Sequence, residues 1–362
     1  MRVAVLGVGL IGGSVGLAAR RRLGAEVVGF DPGAGTLDRA LELDVLDRAA
    51  DSVSDAVGEA EVVFCAAPVS ALPALVAEAL DASGPDSVVT DVGSTKRRLL
   101  AELPREATER FIGGHPLAGA ETSGVENARA DLFEGARWYL TPTPQSAGLG
   151  YDKLQRVIAD LGARPQAIDP ESHDRLMATV SHLPHVIANV LVQQAASTLA
   201  EESERLPEVG PSFRDTTRVA GSNPAIWADI YAANSDAVAD AVEEVGRRLA
   251  RAAELIRASD SAPVGEWHRG AGEDRRRLLE AGLEGGALIE LRVAVENRPG
   301  TVAEIALALG RERVNIEDMA LYPAADMRTG AITLWVAGES EAERAAGIVR
   351  GLGHTVSVVG TA

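Results

Sequence analysis

"MRVAVLGVGLIGGS", residues 1–14, is a short apolar run that breaks into glycines, and its reading decides the fold. Val3, Ala4, Val5 and Leu6 form a continuous apolar segment bounded by glycine, as in a strand buried on both faces of a parallel sheet. Gly7, Gly9 and Gly12 follow with the spacing G-x-G-x-x-G, and a helical stretch comes next. In that setting Gly7 permits a tight turn and Gly9 lets the backbone approach a pyrophosphate. Gly12 lets helix and strand pack closely, and the helix N-terminus faces the phosphates. Asp31 closes the next predicted strand about 20 residues on, where a ribose-binding acid belongs. A carboxylate there accepts hydrogen bonds from the ribose hydroxyls and repels a 2′-phosphate, so NAD is expected rather than NADP. Val8, Leu10, Ile11 and Pro68 complete the expected cofactor surface.

Outward from this turn, residues 1–169 alternate apolar runs with helical stretches. "EVVGFD", "EVVFCAAP", "SVVTDVG", "RFIGG", "WYLTP" and "RPQAI" read as further strands. That alternation predicts an α/β, Rossmann-like domain with a parallel sheet and crossover helices. From residue 170 to 259 the pattern is helical only. "ESHDRLMATVSHLPHVIANVLVQQAASTLAEESE" is apolar on more than one face, and Pro184 inside it should kink the helix. So apolar an all-α region needs a partner, and a homodimer interface is expected. Residues 260–286 are polar and glycine-rich and read as a linker with room for one helix. Residues 287–362 run strand, helix, strand, strand, helix, strand, a ferredoxin-like βαββαβ module.

Composition narrows the classes of function. The net charge of −18 argues against a nucleic-acid partner, whose phosphates such a surface repels. An anionic substrate would need local cations working against that field. No apolar run reaches the roughly 18 residues of a membrane helix, so no membrane association is expected. Glycines interrupt the N-terminal apolar run, which argues against a signal peptide. Cys65 is the only cysteine. That fits a reducing compartment, and the expected location is the cytoplasm.

"RFIGGHPLAGAETSG", residues 110–124, frames His115 with Gly113, Gly114, Gly119 and Gly124. Such a segment cannot be a regular helix, and glycines that admit a close ligand suggest a site.

Four blocks together resemble the prephenate dehydrogenases of tyrosine biosynthesis. They are "GVGLIGGS", "TDVGSTK", "GGHPLAGAETSG", and the pair "HDRLMATVSHLPH" with "FRDTTRVAGSNPAIW". The stretch "ENRPGTVAEIALALGRERVNIED" resembles an ACT domain, a fold that often binds amino-acid effectors. The resemblance implies oxidative decarboxylation of prephenate to 4-hydroxyphenylpyruvate, with NAD accepting hydride. It implies that His115, on a Gly/Pro loop, is the general base, a role suited to an imidazole titrating near neutrality. Ser94 would orient the substrate hydroxyl, although it could also cap the following helix. Arg218 would hold a carboxylate of the dianionic substrate, and His185 would contact the substrate. Glu121, His173, Asp174, Arg214 and Asp215 would form an ionic network at the pocket mouth, partly across the dimer. An aromatic amino acid is the effector expected at the ACT module, near Pro299, Gly300 and Asn315.

His182 reads as structural, and His173, His182 and His185 lack the companions of a recognisable metal site, so no metal is expected. An arogenate dehydrogenase remains open, and so does a catalytically inactive amino-acid sensor. A β-hydroxyacid or imine-type dehydrogenase would rely on a lysine in the helical region, and residues 170–258 contain none.

Overall fold

The computed structural model describes residues 1–104, 109–119, 122–202, 209–280, 287–296, 298, 300–324 and 328–359. The N-terminal strand is β1 (Arg2–Leu6), and seven more join it: β2 (Glu26–Phe30), β3 (Arg48–Ala49), β4 (Val62–Cys65), β5 (Val88–Asp91), β6 (Phe111–Pro116), β7 (Arg137–Thr141) and β8 (Arg164–Ala167). Their order is β3-β2-β1-β4-β5-β6-β7-β8. Alternate residues of each strand feed different cores. Val3, Val5, Val62 and Phe64 pack with the helix Leu10–Ala18 on one face. Ala4, Leu6, Val63 and Cys65 pack with the helix Leu72–Ala82 on the other. Burial on both faces explains why these strands read as unbroken apolar runs.

One feature departs from an all-parallel sheet. β6 and β7 are antiparallel, and β8 returns parallel to β7. The chain between β6 and β7 holds only a short 3-10 turn, Val125–Asn127, among its described residues. A parallel return needs a longer crossover, usually a helix. This also corrects the expected loop around His115: the residue lies within β6, opposite Tyr139 of β7.

The helical region opens with Pro170–Met177, continues through a π-turn at Ala178–His182 and extends as Leu183–Glu202. The kink expected at Pro184 takes the form of that π-turn. Proline has no N–H for the carbonyl four residues back and crowds it, and a widened turn relieves both problems. The run Pro170–Ser197 is in fact long and apolar enough to span a bilayer, by length and composition only. Helices Pro211–Thr217, Pro224–Ala233 and Ser235–Arg257 follow. Asn223 caps the second of these, accepting from the Ala225 amide at 3.0 Å.

Residues Met1–Arg248 form one compact unit and Leu249–Ala362 a second. In the second unit the helix foreseen within residues 260–286 occupies Ser261–Glu280. Residues 281–286 lie outside the described residues. The Arg275 guanidinium sits 5.6 Å from the Trp335 ring centroid, so tertiary contact supports a glycine-rich helix. Strands β9 (Leu288–Glu296), β10 (Asp318–Pro323), β11 (Thr329–Ala337) and β12 (Thr355–Val359) form an antiparallel sheet in the order β10-β11-β9-β12. Helices Thr301–Arg311 and Glu339–Gly351 contribute Ile305, Leu309 and Val349 to a core with Leu291, Val293 and Leu334. This is the βαββαβ order read from the sequence.

Candidate active site

The parallel strands point their carboxyl ends at one edge, and the candidate residues gather there. The order β3-β2-β1-β4 reverses direction between β1 and β4, the position where open α/β sheets form a ligand crevice. At the end of β1, Gly7 has φ +96°, and a side chain there would overlap the Ala66 carbonyl. A Cβ on Gly12 would overlap the Gly7 carbonyl, so that glycine is needed for the helix to pack. A Cβ on Gly9 would meet nothing within 4 Å, so a ligand has room to approach the backbone there. Asp31 follows β2 and accepts from the Val8 and Gly33 amides, each at 2.7 Å. Its carboxylate therefore braces the turn, and the remaining lone pairs can accept ribose hydroxyls. Leu10 and Ile11 are half-buried at the helix start, and Pro68 is exposed beyond β4. The open backbone and the acid at the second strand end fit a dinucleotide.

β5 ends in Asp91, which is fully buried and paired with the equally buried Lys96. The Gly93 amide donates to Asp91 at 2.8 Å and the Gly114 amide at 3.0 Å. Burial lowers the Lys96 amine, and the facing Asp91 carboxylate opposes that shift. This pair was not anticipated, although Lys96 stands in the quoted block "TDVGSTK". Two of the glycines before His115 answer to packing. A Cβ on Gly114 would stand 2.5 Å from the Asp91 carbonyl oxygen, 2.8 Å from Thr90 Oγ1 and 3.0 Å from Trp138 Nε1. A Cβ on Gly113 would overlap Thr141 Oγ1 and press on Lys96 Cδ at 3.0 Å. Gly113 and Gly114 make room for packed atoms of β5, β7 and Lys96 rather than for a ligand. Ser94 is half-buried in the bend after β5. It is not the helix cap: Lys96 holds the N-cap position of Arg97–Glu102.

The capping carboxylate comes from far along the chain. Asp174 Oδ1 accepts from the Lys96 amide and Oδ2 from the Arg97 amide, both at 2.8 Å. Asp174 also accepts from His173 Nδ1 at 2.8 Å, and His173 Nε2 lies 2.9 Å from His115 Nδ1. His173 is 0% and Asp174 1% exposed. That corrects their expected place at the pocket mouth: both are buried behind His115, which is itself half-buried. Burial pushes the His115 imidazole well below its ordinary range, and His173, Lys96 and His182 add to the effect. Glu121 lies outside the described residues. Arg214 and Asp215 are exposed on Pro211–Thr217.

The helical region supplies a second cluster. His182 is 1% exposed, lies 3.3 Å from Asn234 Nδ2 and is pushed down to about 4, chiefly by burial and against the nearby Asp174 charge. Asn234, also unanticipated, donates to the Asp174 carbonyl at 2.8 Å, tying the helix ends together. His185 stacks on Trp227 with centroids 3.5 Å apart. Its imidazole is lowered by burial and then by the Arg218 charge, while a hydrogen bond with the Val219 backbone opposes the shift. Arg218 is exposed at the start of the 3-10 turn Arg218–Gly221. The structure thus brings His185 and Arg218 together, and separately links His115, His173 and Asp174.

Known proteins resemble this chain in sequence and in fold. Residues 15–167 match the prephenate dehydrogenase nucleotide-binding domain, and residues 169–269 match the prephenate dehydrogenase dimerization domain. The chain is 32% identical to a Bacillus subtilis prephenate dehydrogenase, over 95% of this chain and 94% of the relative. It is 33% identical to a cyclohexadienyl dehydrogenase of Zymomonas mobilis, over 65% of this chain and 82% of that one. The A. aeolicus prephenate dehydrogenase, solved with hydroxyphenyl propionate and NAD+, superposes with a TM-score of 0.70 at 31% identity, covering 77% of this chain and 98% of that one. A Synechocystis arogenate dehydrogenase gives a TM-score of 0.69 at 28% identity, covering 77% and 100%. With the glycine turn, the histidine at the end of β6 and matches spanning nearly its whole length, the chain belongs to the prephenate dehydrogenase family.

Proposed function

We propose that the protein is an NAD-dependent prephenate dehydrogenase that converts prephenate to 4-hydroxyphenylpyruvate and CO2 in tyrosine biosynthesis. The observation that carries this reading is His115, a histidine kept neutral by its surroundings at the carboxyl edge of a dinucleotide-type sheet. Bound along Gly7, Gly9, Gly12 and Asp31, NAD supplies the hydride acceptor. His115 takes the proton of the substrate hydroxyl as the carbinol carbon is oxidised, and Ser94 orients that hydroxyl. Loss of CO2 then makes the ring aromatic. Arg218 offers a carboxylate a bidentate fork, with His185 beside it. The Arg218 guanidinium is a local cation that answers the difficulty set by the net charge of −18.

Residues 1–169 serve as the cofactor domain and 170–259 as the dimerisation and substrate region. Val180 at 55% and Val190 at 56% exposure leave an apolar helix face that a second copy would cover. The module at 287–362 is read as a regulatory ACT domain for an aromatic amino acid. Gly300 at the N-terminus of Thr301–Arg311 is its effector end, whereas Pro299 lies outside the described residues. A cytoplasmic location fits a biosynthetic enzyme with a single, buried cysteine.

The test is to mix the purified protein with NAD and either prephenate or arogenate and to follow NADH by absorbance. Faster turnover of prephenate supports the reading, and turnover of neither substrate would sink it. Preference for arogenate would favour the second reading, to which the Synechocystis likeness points.

A further inference from the structure

Three hydrogen bonds in series end at His115, and their directions can be worked out from the far end. Asp174 receives backbone N–H donors on both oxygens, from Lys96 and Arg97 at 2.8 Å each. A carboxylate held by two amides at a helix start is an acceptor. His173 must then carry its proton on Nδ1, which faces Asp174 Oδ1 at 2.8 Å. That leaves His173 Nε2 as a lone pair. His115 Nδ1 stands 2.9 Å from it, and a hydrogen bond forms only if His115 carries its proton on Nδ1. The other nitrogen of His115, Nε2, is therefore bare.

We propose that His173 and Asp174 are positioning residues that hold His115 in the Nδ1–H tautomer, making Nε2 the atom that accepts the substrate's hydroxyl proton. The proposal rests on the dehydrogenase reading. The proton balance of that reaction suits a closed chain. The oxygen that loses its proton during oxidation is the phenol oxygen of the product. When the C–CO2 bond breaks, its electron pair enters the ring, and the carbonyl π pair returns to that oxygen. Nε2–H then gives the same proton back. Between these events His115 is an imidazolium with its Nδ1–H on His173, which leans on the Asp174 anion. His173 and Asp174 are 0% and 1% exposed, so water does not compete along the chain. His173, Lys96 and His182 oppose protonation of His115 electrostatically, and the hydrogen bond that runs through His173 to the Asp174 carboxylate works against them.

The test reads the tautomer directly. Full-length protein labelled with 15N-histidine has six histidines, and His115→Gln identifies the signal of interest. In the wild type at pH 7.5, His115 should show a protonated Nδ1 and a bare Nε2. Oδ1 takes both the Lys96 amide and His173 Nδ1, and Oδ2 takes the Arg97 amide, so an asparagine oxygen at Oδ1 would leave the chain as it is. Asp174→Leu instead removes the acceptor at similar size. His173 Nδ1–H then loses its partner, so the His115 signal should move away from a fully protonated Nδ1, and kcat with prephenate should fall about 10²- to 10⁴-fold, the scale seen when the carboxylate behind a catalytic histidine is lost. His173→Leu removes the acceptor and should lose activity, whereas His173→Gln keeps an acceptor and should lose markedly less. A structural role alone predicts losses that follow Tm across the three variants with no tautomer change, and that result would overturn the proposal. So would a wild-type His115 protonated on Nε2. The tautomer is measured without substrate, so a bare Nε2 in a protein that does not oxidise prephenate would support this assignment and sink the substrate reading.

Discussion

The chain has two glycine-rich stretches at the same edge of the large sheet, and they use glycine for different reasons. In the turn after β1, the space in front of Gly9 is open, and a ligand can come up against the backbone. In β6, Gly113 and Gly114 are buried, and protein atoms already fill the space a Cβ would take. One stretch spends glycine on access, the other on close packing against β5, β7 and Lys96. Written out, "GVGLIGG" and "IGGHPLAG" look alike. The difference teaches that clustered glycines show where backbone lies close to something, and that only the fold says whether the neighbour is protein or ligand.

The largest effect should come from the proposed base in the second stretch. His115→Asn keeps size and some hydrogen bonding but cannot take the proton, so kcat should fall about 10²- to 10⁴-fold. The KM for NAD should hold, because the first stretch is untouched. Near-normal turnover would remove His115 from the chemistry. In the wild type the same imidazole lies well below its ordinary pKa, so it stays neutral to lower pH. The acid limb of kcat/KM should therefore fall below about pH 6.5, the free histidine value. Stability moves with pH in the same direction. His182 titrates near about 4 in the folded chain, so the unfolded chain binds the proton more readily, and stability drops as pH falls from about 6.5 toward 4.

Next in size is a control outside both stretches. Arg218→Ala should raise the KM for prephenate about 10- to 150-fold, the worth of a charged hydrogen bond, with the NAD KM nearly unchanged. Equal loss for both ligands would signal a folding defect.

The glycines themselves test the contrast. Gly114→Ala forces a methyl against the Asp91 carbonyl and should cost about 1–3 kcal/mol of stability, visible as a lower Tm. Gly9→Ala should leave Tm unchanged and weaken NAD binding, measured by calorimetry. If the two substitutions lower Tm alike, the distinction between access and packing fails.

The smallest effect sharpens the role of the first stretch. Asp31→Asn should relax the preference for NAD over NADP by removing a repelling charge. Because Asp31 also accepts from the Val8 and Gly33 amides, the substitution should cost about 1 kcal/mol of stability. A wild type that already uses both cofactors equally would show that Asp31 does not read the ribose.

Much of this protein is local in origin and so was legible in the sequence. The strand–turn–helix with Gly7, Gly9 and Gly12 depends on neighbours a few residues apart, as do the paired apolar faces of β1 and β4 and the βαββαβ order of the C-terminal module. Periodicity and turn chemistry report such features directly. The hydrogen-bonded chain proposed to act on His115 is different. His115 and His173 are 58 positions apart, and Asp174 caps a helix 77 and 78 positions away. Nothing in "SHDR" marks His173 and Asp174 as buried, since both residue types are ordinarily solvated. Lys96 likewise reads as a surface lysine until β5 and β6 close around it. Sequence by itself determined the elements and the cofactor turn. Only the tertiary structure decided which polar groups lost their water, because burial depends on what the fold brings across the gap, and a group deprived of water must find its hydrogen bonds and its charge partner among distant residues.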